Sequence, residues 1–449
     1  MEKFLFKKIS VWIVIILIIF MIFFSLLFAW AAQYYSSGKS RGGPVLEAIH
    51  KISNIPHYFI EVIYKGIAPS MNDQIVKFKK FKGLKKFDHN FNKNFFLISA
   101  YDKKYGSSLT YLFDIKQNKI VHFWKPDVEK INKQLKDKTK YIWVREDFEM
   151  LHPYLNNDYS LVFTSGEGPL VKIDQCSNIE WVIDSTFHHS IEKDSSNNYL
   201  VPIVLKSKEN YFKKIYGEDT IFNLSQNLRD DAIAVVSPDG KILKTISITE
   251  TLINNGYGSN ILNLLSRTDN VIHLNDIEPI KENDEYVKEG DMAISLRSLS
   301  AVALYRPSLN KIIWLKIGPW SEQHDVDYLG GGIFSIFGND SNLRLGKLRG
   351  YSTIYQYDMK NNKVNEFLKL KESNIFANKQ GLHKINKDGS IFIEQSEKGI
   401  LHLIDKDSKH ILKYVHSIDK NEIGSLHWSR YFSDNEIKSK TKKKLNCKN

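Results

Sequence analysis

The chain has 449 residues, too many for one small domain and enough for a large closed β architecture or two domains. Hydrophobic residues make up 42% and charged residues 25%, which excludes a disordered chain, and an aromatic content of 12% favours strands over helices. A formal net charge of +12 raises nucleic acid as a partner, and two cysteines, Cys176 and Cys447, exclude a disulfide-rich scaffold and any cysteine-built zinc or iron–sulfur site.

Residues 11–32 are apolar almost without interruption, long enough to cross the ~30 Å hydrocarbon core as a helix. Lys3, Lys7 and Lys8 precede this run and predict a cytoplasmic N-terminus, residues 1–10, with everything after the span outside. Ala29-Trp30-Ala31 reads as a small-x-small cleavage site, but the run exceeds an ordinary signal-peptide core, so an uncleaved, single-pass signal anchor is the better reading. Export places the main domain in the periplasm or elsewhere outside the cytoplasm and removes nucleic acid as a partner. Residues 33–91 read as a linker followed by an amphipathic and a basic segment. VLEAIHKISNIPHYFIEVIY has helical periodicity broken near Pro56, and Lys77, Lys79, Lys80, Lys82, Lys85 and Lys86 interleave with Phe78 and Phe81. The basic segment reads either as a solvated edge or as a contact with anionic lipid headgroups.

From residue 92 a phrase of apolar runs and polar turns repeats, beginning with FFLISA and LTYLFDIKQNKIVHFW and ending with SIFIEQSEKGILHLIDKDSKHILKYVH. Six copies are visible. A unit of three or four strands cannot bury its own faces, and repetition around an axis solves this. The fold class read from this is all-β, a six-bladed β-propeller over residues 92–432 with an N-terminal transmembrane helix; the irregular period leaves a β-sandwich array as the alternative. Residues 250–267 read as a helical insertion within the third unit. Residues 424–432, including SLHWSRYF, read as a strand that closes the first blade, and residues 433–449 as a basic tail.

Several of the 14 histidines sit at one place in the phrase, just ahead of the first apolar run: His152, His188-His189, His273, His324 and His383. A propeller gathers equivalent positions around its central channel. Arg297, read as part of the first strand of the fourth unit, points into the same space. A lone histidine ahead of a strand is more often a structural cap, and His152 and His383 are read that way. The group formed by His324, by His273 with Asn275 and Arg297, and by the His188-His189 pair suits a tetrahedral oxyanion. Arginine offers a planar fork of donors; imidazole can donate, accept a proton or attack. That chemistry fits a transferring sulfuryl or phosphoryl group. Three histidines could hold zinc, but an adjacent guanidinium opposes a metal ion, so no metal and no cofactor are expected.

IHLNDIEPI, GDMAISLRSLSAVALYRPSLNKIIWLKIGPWSEQHDVDYL and DSTFHHSIE resemble the bacterial arylsulfate sulfotransferases. The resemblance covers residues 90–432 in organisation and is specific over 271–339 and the DSTFHHSIE stretch. It implies an exported six-bladed propeller that moves a sulfuryl group from an aryl sulfate donor to a phenolic or other hydroxyl acceptor, through a sulfohistidine and without a nucleotide. It further implies that His324 is the nucleophile and that His273 and Arg297 hold the sulfuryl oxygens and assist the departing phenol. One of His188 and His189 fills the remaining role. His189 is preferred because His189-Ser190-Ile191 lines up with His324-Asp325-Val326; His188 and Asn275 then bind substrate. The anchor and the lack of an N-terminal β-sandwich set the chain apart as a remote branch. The competing expectation is a non-catalytic, membrane-anchored propeller that binds a glycan or protein at the cell surface. Nothing in the sequence speaks to oligomeric state.

Overall fold

The computed structural model describes residues 10–36, 75–77, 82–135, 148–205, 217, 228–265, 268–342, 346–419, 422–440 and 447. The amphipathic segment at 44–64, Lys79, Lys80, Phe78, Phe81, the first nine residues and most of the tail beyond 440 lie outside them. The chain divides into two units, Met1–Pro69 and Ser70–Asn449. In the first, the apolar run forms a 26-residue helix, Val11–Ser36. Its Val11–Phe28 stretch has mean hydropathy 3.2 and is long and apolar enough to cross a membrane.

The second unit is built of consecutive antiparallel meanders. Phe95–Asp102, Ser107–Asp114 and Lys119–Trp124 follow one another in a sheet whose other edge is Arg430–Phe432. Phe95, Phe96 and Leu97 pair with Phe432, Tyr431 and Arg430, so the closing strand expected from the sequence is present. Residues 151–247 form an eight-stranded sheet whose two halves meet through one residue pair, Phe187 with Ile203. Four-stranded sheets follow, over Leu274–Ile317 and then Asp325–Lys369 with a small side hairpin. The last sheet holds Leu382–Ile385, Ile391–Gln395, Ile400–Ile404 and His410–Val415, with Gly83–Lys86 added at its outer edge. Lys85 and Lys86 of the basic stretch lie on that outer strand, while Lys77 ends Ile75–Lys77, which pairs with Glu422–Gly424; lysines on an edge strand deter further pairing.

Apolar clusters fill the space between successive sheets. Leu97 and Leu112 meet Leu161 and Phe163. Ile233 and Leu252 meet Leu274 and Ile294. Ala293 and Leu304 meet Phe334 and Tyr355. Phe337 and Ile354 meet Ile391 and Ile393, and finally Phe392 and Leu401 meet Phe96 and Tyr111. The last sheet therefore packs on the first, a propeller-like arrangement. The helical insertion is also present, as Ile248–Leu252 and Gly258–Leu265 joined by a looser turn, with Ser247 capping the first helix through its side chain. Residues 434–438, expected as part of a tail, instead form a short helix, Asp434–Lys438. The reason is local: Ser433 and Glu436 form a reciprocal capping box.

Cys176 and Cys447 form a disulfide across 271 residues of sequence. It ties the C-terminal segment to the turn between Gly168–Ile173 and Ile179–Phe187. A crosslink of this span removes much conformational freedom from the unfolded chain. Reduction by a thiol is expected to lower the stability by about 2–4 kcal/mol, seen as a lower thermal midpoint. Cys176→Ser should match the reduced protein and show no further response to thiol.

Candidate functional site

The histidine motifs open an innermost strand in each sheet: His188-His189, His273 and His324 lie just ahead of Glu192–Lys193, Leu274–Pro279 and Asp325–Gly330, while His152 and His383 lie within Leu151–Leu155 and Leu382–Ile385. These strands are short, and two of them, Leu274–Pro279 and Asp325–Gly330, carry acidic residues at alternate positions, so they lack the apolar signature of a strand. Arg297 is correspondingly displaced from its expected place. It follows the second strand of its sheet, Met292–Leu296, and begins a 3-10 turn.

Side-chain oxygens lock these strands from sheet to sheet. Ser190 Oγ accepts the Ile277 N–H at 3.0 Å, Asp276 Oδ2 that of Val326 at 2.9 Å, and Asp325 Oδ2 that of His383 at 2.8 Å. The rungs make Ser190, Asp276 and Asp325 equivalent. The residues before them, His189, Asn275 and His324, are therefore equivalent too.

His324 is 2% exposed. Its Nδ1 lies 2.9 Å from both the Glu322 carbonyl and Asn339 Oδ1. Asn339 spends both amide hydrogens on the carbonyls of Ala377 and Gln380, at 3.0 and 2.8 Å, so its oxygen must face the imidazole. With two acceptors at Nδ1, the proton sits there and Nε2 carries the lone pair. Burial first, and then the Arg297 charge, pushes the His324 pKa down to about 3. The ring stays neutral through the physiological range.

Arg297 reaches the same region from the neighbouring sheet. Its backbone N–H donates to the His273 carbonyl at 3.1 Å, and its Nη2 donates to Glu322 at 2.9 Å. Its Nε is buried with no hydrogen-bond partner. An unpaired buried donor costs about 1–3 kcal/mol, so a donor left this way needs a reason. His273 has its Nδ1 2.7 Å from the Asn270 carboxamide, which fixes one side of the ring. The His189 and His273 rings stand 4.8 Å apart. Behind His189, His188 places Nδ1 2.8 Å from His189 Nδ1 and Nε2 3.4 Å from Asp231, which is also paired with Arg229 at 2.9 Å. Burial lowers the pKa of His189 and His273 well below the ordinary histidine value; neighbouring His273 adds to it for the first and Arg297 for the second.

His189, His273 and Glu322 all have positive φ, at 55°, 52° and 51°. Each non-glycine residue held this way costs about 1–3 kcal/mol, and such strain gathers where geometry serves a site. His189, His273, Arg297 and His324 thus converge. His188 and Asn275, expected to touch substrate, lie behind them. His188 is almost fully buried, and Asn275 is enclosed and donates its amide to the Gln323 carbonyl at 2.9 Å. The sequence reading missed Asn339, Asn270, Asp231 and Glu322. Glu322 alone was visible in principle, two residues before His324 in the singled-out stretch.

Below the histidines the channel turns acidic. A cavity of about 510 Å³ is lined by Glu192, Asp276, Glu278, Asp325, Asp327 and Arg430, among others. Arg430 pairs with Glu192 at 2.7 Å. Burial and neighbouring carboxylates raise the pKa of Asp276 and Glu278, and burial together with Asp325 raises Asp327 to about 7. Among the described residues, Asp325, Asp327 and His383 have the spacing of a metal-ligand group, within 4.8 Å of one another. Both His383 nitrogens are already engaged, Nδ1 by Asp325 and Nε2 by Ser335 Oγ at 2.9 Å.

Residues 152–417 match the arylsulfotransferase (ASST) family, and the chain belongs to it. That membership suggests an arylsulfotransferase-like enzyme with aryl sulfate substrates. No curated protein matches the chain. Among solved structures, a Bacteroides caccae protein of unknown function is similar at 11% identity, over 76% of this chain and 98% of that one, with a TM-score of 0.47. The Pan2 WD40 domain of Neurospora crassa is similar at 9% identity, over 74% and 82%, with a TM-score of 0.38. Virginiamycin B lyase from Staphylococcus aureus is similar at 11%, over 76% and 98%, with a TM-score of 0.39.

The raised Asp327 pKa carries a stability prediction. Between the unfolded value near 4 and the folded value of about 7, the folded state binds the extra proton, so stability falls as pH rises through that window. Asp327→Asn is therefore expected to stabilise the protein at pH 8 by on the order of 1 kcal/mol. The difference should vanish near pH 4. Thermal melts of both proteins at the two pH values check this.

Proposed function

We propose that the protein is an exported aryl sulfate sulfotransferase that works through a sulfohistidine on His324. The observation that carries the reading is the pairing of a neutral imidazole, proton pinned on Nδ1 and lone pair on Nε2, with a buried guanidinium whose Nε lacks an acceptor. In this reading the Nε2 lone pair attacks sulfur, the N–S bond forms and the S–O bond to the aryl group breaks. Arg297 and His273 donate hydrogen bonds to the sulfuryl oxygens and to the departing oxygen, which leaves as the phenolate and takes up the proton that the acceptor hydroxyl later releases. An acceptor hydroxyl then attacks the same sulfur, the N–S bond breaks, and the hydroxyl proton passes to a site imidazole, with His189 in reach of His273. Asn339 acts through His324 as a positioning residue. His188 and Asn275 serve the same purpose from behind.

The fold reading that accompanies this is a six-bladed propeller over residues 92–432, in which each half of the eight-stranded sheet counts as one blade. The apolar helix and the disulfide suggest a secreted or anchored protein. We take the helix as an uncleaved anchor with the propeller outside the cytoplasm, in keeping with Lys3, Lys7 and Lys8 ahead of it.

His324→Gln should abolish transfer from a nitrophenyl sulfate, by about 10³-fold or more, while the thermal midpoint stays near that of the parent. In the parent protein, a quenched reaction without acceptor should leave a sulfuryl mass on the peptide containing residue 324. Full turnover in the variant would remove His324 from the mechanism and favour the binding-module alternative. Asn339→Ala frees the His324 tautomer and should lower kcat by about tenfold or more with little change in KM; an unchanged kcat would deny Asn339 its part.

A further inference from the structure

We propose that His188, backed by Asp231, fixes the tautomer of His189 and so makes His189 the base that takes the proton of the acceptor hydroxyl. This rests on the sulfuryl-transfer reading above and assigns one step within it. His188 acts as a positioning residue, and His189 is the group that meets the hydroxyl.

Contacts in line carry the assignment. His188 Nε2 stands 3.4 Å from Asp231 Oδ1, without the alignment of a full hydrogen bond. Its Nδ1 lies 2.8 Å from His189 Nδ1, with the two rings at 89° to one another. Asp231 is fully buried, and its oxygens also take Arg229 Nε at 2.9 Å and the Leu274 N–H at 3.1 Å. Burial alone would raise its pKa, but His188 and Arg229 hold it below the ordinary carboxylate value. An imidazole at pH 8 ordinarily carries one proton. On His188 that proton belongs on Nε2, because a lone pair facing an ionised oxygen would be repelled. Nδ1 is then left as an acceptor, and the 2.8 Å contact is made by His189 Nδ1–H donating into it. His189 Nε2 keeps its lone pair.

The neighbouring imidazoles are not committed in this way. His273 Nδ1 meets the Asn270 carboxamide, which can present either an N–H or an oxygen. His152, 6.1 Å from His189 ring to ring, has a buried Nδ1 with no hydrogen-bond partner. His324 Nε2 holds the sulfuryl group at this stage. In the step itself, the acceptor oxygen attacks sulfur while its proton moves to His189 Nε2; the new O–S bond forms and the N–S bond to His324 breaks. The imidazolium keeps its Nδ1–H on His188, with the Asp231 carboxylate behind that ring, and then yields its new proton to the phenolate of the donor. Burial holds His189 below the ordinary histidine value, and an anionic ester in the site opposes this by favouring the charged ring.

The experiment uses the full-length protein in detergent at pH 8, with nitrophenyl sulfate as donor. Nitrophenol released in a single turnover without acceptor reports the first half of the reaction, and transfer to a saturating acceptor reports the second. The acceptors run from phenol, with a pKa of about 10, to pentafluorophenol, which is ionised at pH 8 and has no proton to give. His188→Leu should slow transfer to phenol by about tenfold or more beyond any change in the first half, and transfer to pentafluorophenol far less. His188→Asn puts an oxygen where Nδ1 stood and should restore most of the phenol rate. An equal loss with both acceptors, a parent-like phenol rate in His188→Leu, or no recovery in His188→Asn overturns the inference. The parent, which needs no variant to fold, should transfer to phenol more slowly in D2O than in water and to pentafluorophenol at the same rate; an equal solvent effect on both also overturns it. If the parent releases no nitrophenol at all, the sulfuryl-transfer reading falls and takes this inference with it. Turnover without the acceptor-dependent loss removes the inference alone.

Discussion

The hydrogen bonds that pass from one innermost strand to the next govern the geometry of everything else. An innermost strand in a ring of sheets has one edge with no neighbouring strand in its own sheet, and its buried N–H groups still need acceptors. Ser190, Asp276 and Asp325 supply them, each taking the N–H of the following sheet. Because the same rung recurs, residues one place earlier fall at one level. His189 and His324 therefore fall at equivalent places on different sheets although 135 positions separate their numbers. Neither a helix nor a single sheet could bring them together.

The second constraint is electrostatic. The rungs put two aspartates into the wall of the channel, and further along the same strands Glu278 and Asp327 follow. Burial first, and then neighbouring carboxylates, raises the pKa values of Asp276, Glu278 and Asp327, while on the other side burial and then Arg297 hold His273 and His324 neutral. A neutral imidazole is a nucleophile; a protonated one is not. The basic group and the burial that would attract and enclose an anion thus also keep His324 Nε2 unprotonated. The carboxylates lie beyond, where an ester need not go.

Much of this was legible in the chain. The repeating phrase gave the sheets, the closing strand at residues 430–432 and the helical insertion, because apolar alternation and turn chemistry are local signals. The recurring histidine ahead of each phrase gave the convergence of His189, His273 and His324 for the same reason. What escaped was the role of strands without an apolar pattern. The innermost strands carry Asp276, Glu278, Asp325 and Asp327, read as loop, and Arg297 was consequently placed one strand too early. Asn339 and Asn270 escaped because their meaning lies in the atoms they face: a lone asparagine after a strand is unremarkable until its amide is seen spent on two carbonyls. His188 and Asn275 were put in contact with substrate because spacing cannot say which of two adjacent polar residues points inward.

The strand Arg430–Phe432 completes the sheet that Phe95–Asp102 begins. The ring therefore stays open while most of the polypeptide is still being delivered, whether from a ribosome or through a translocation pore. An early-emerging segment waits, with the Phe95–Leu97 edge uncovered, for a partner more than 300 residues behind it. Assembly is thus concerted at the end rather than sequential from the start, and a nascent chain cut short before residue 430 would be a ring that never latches.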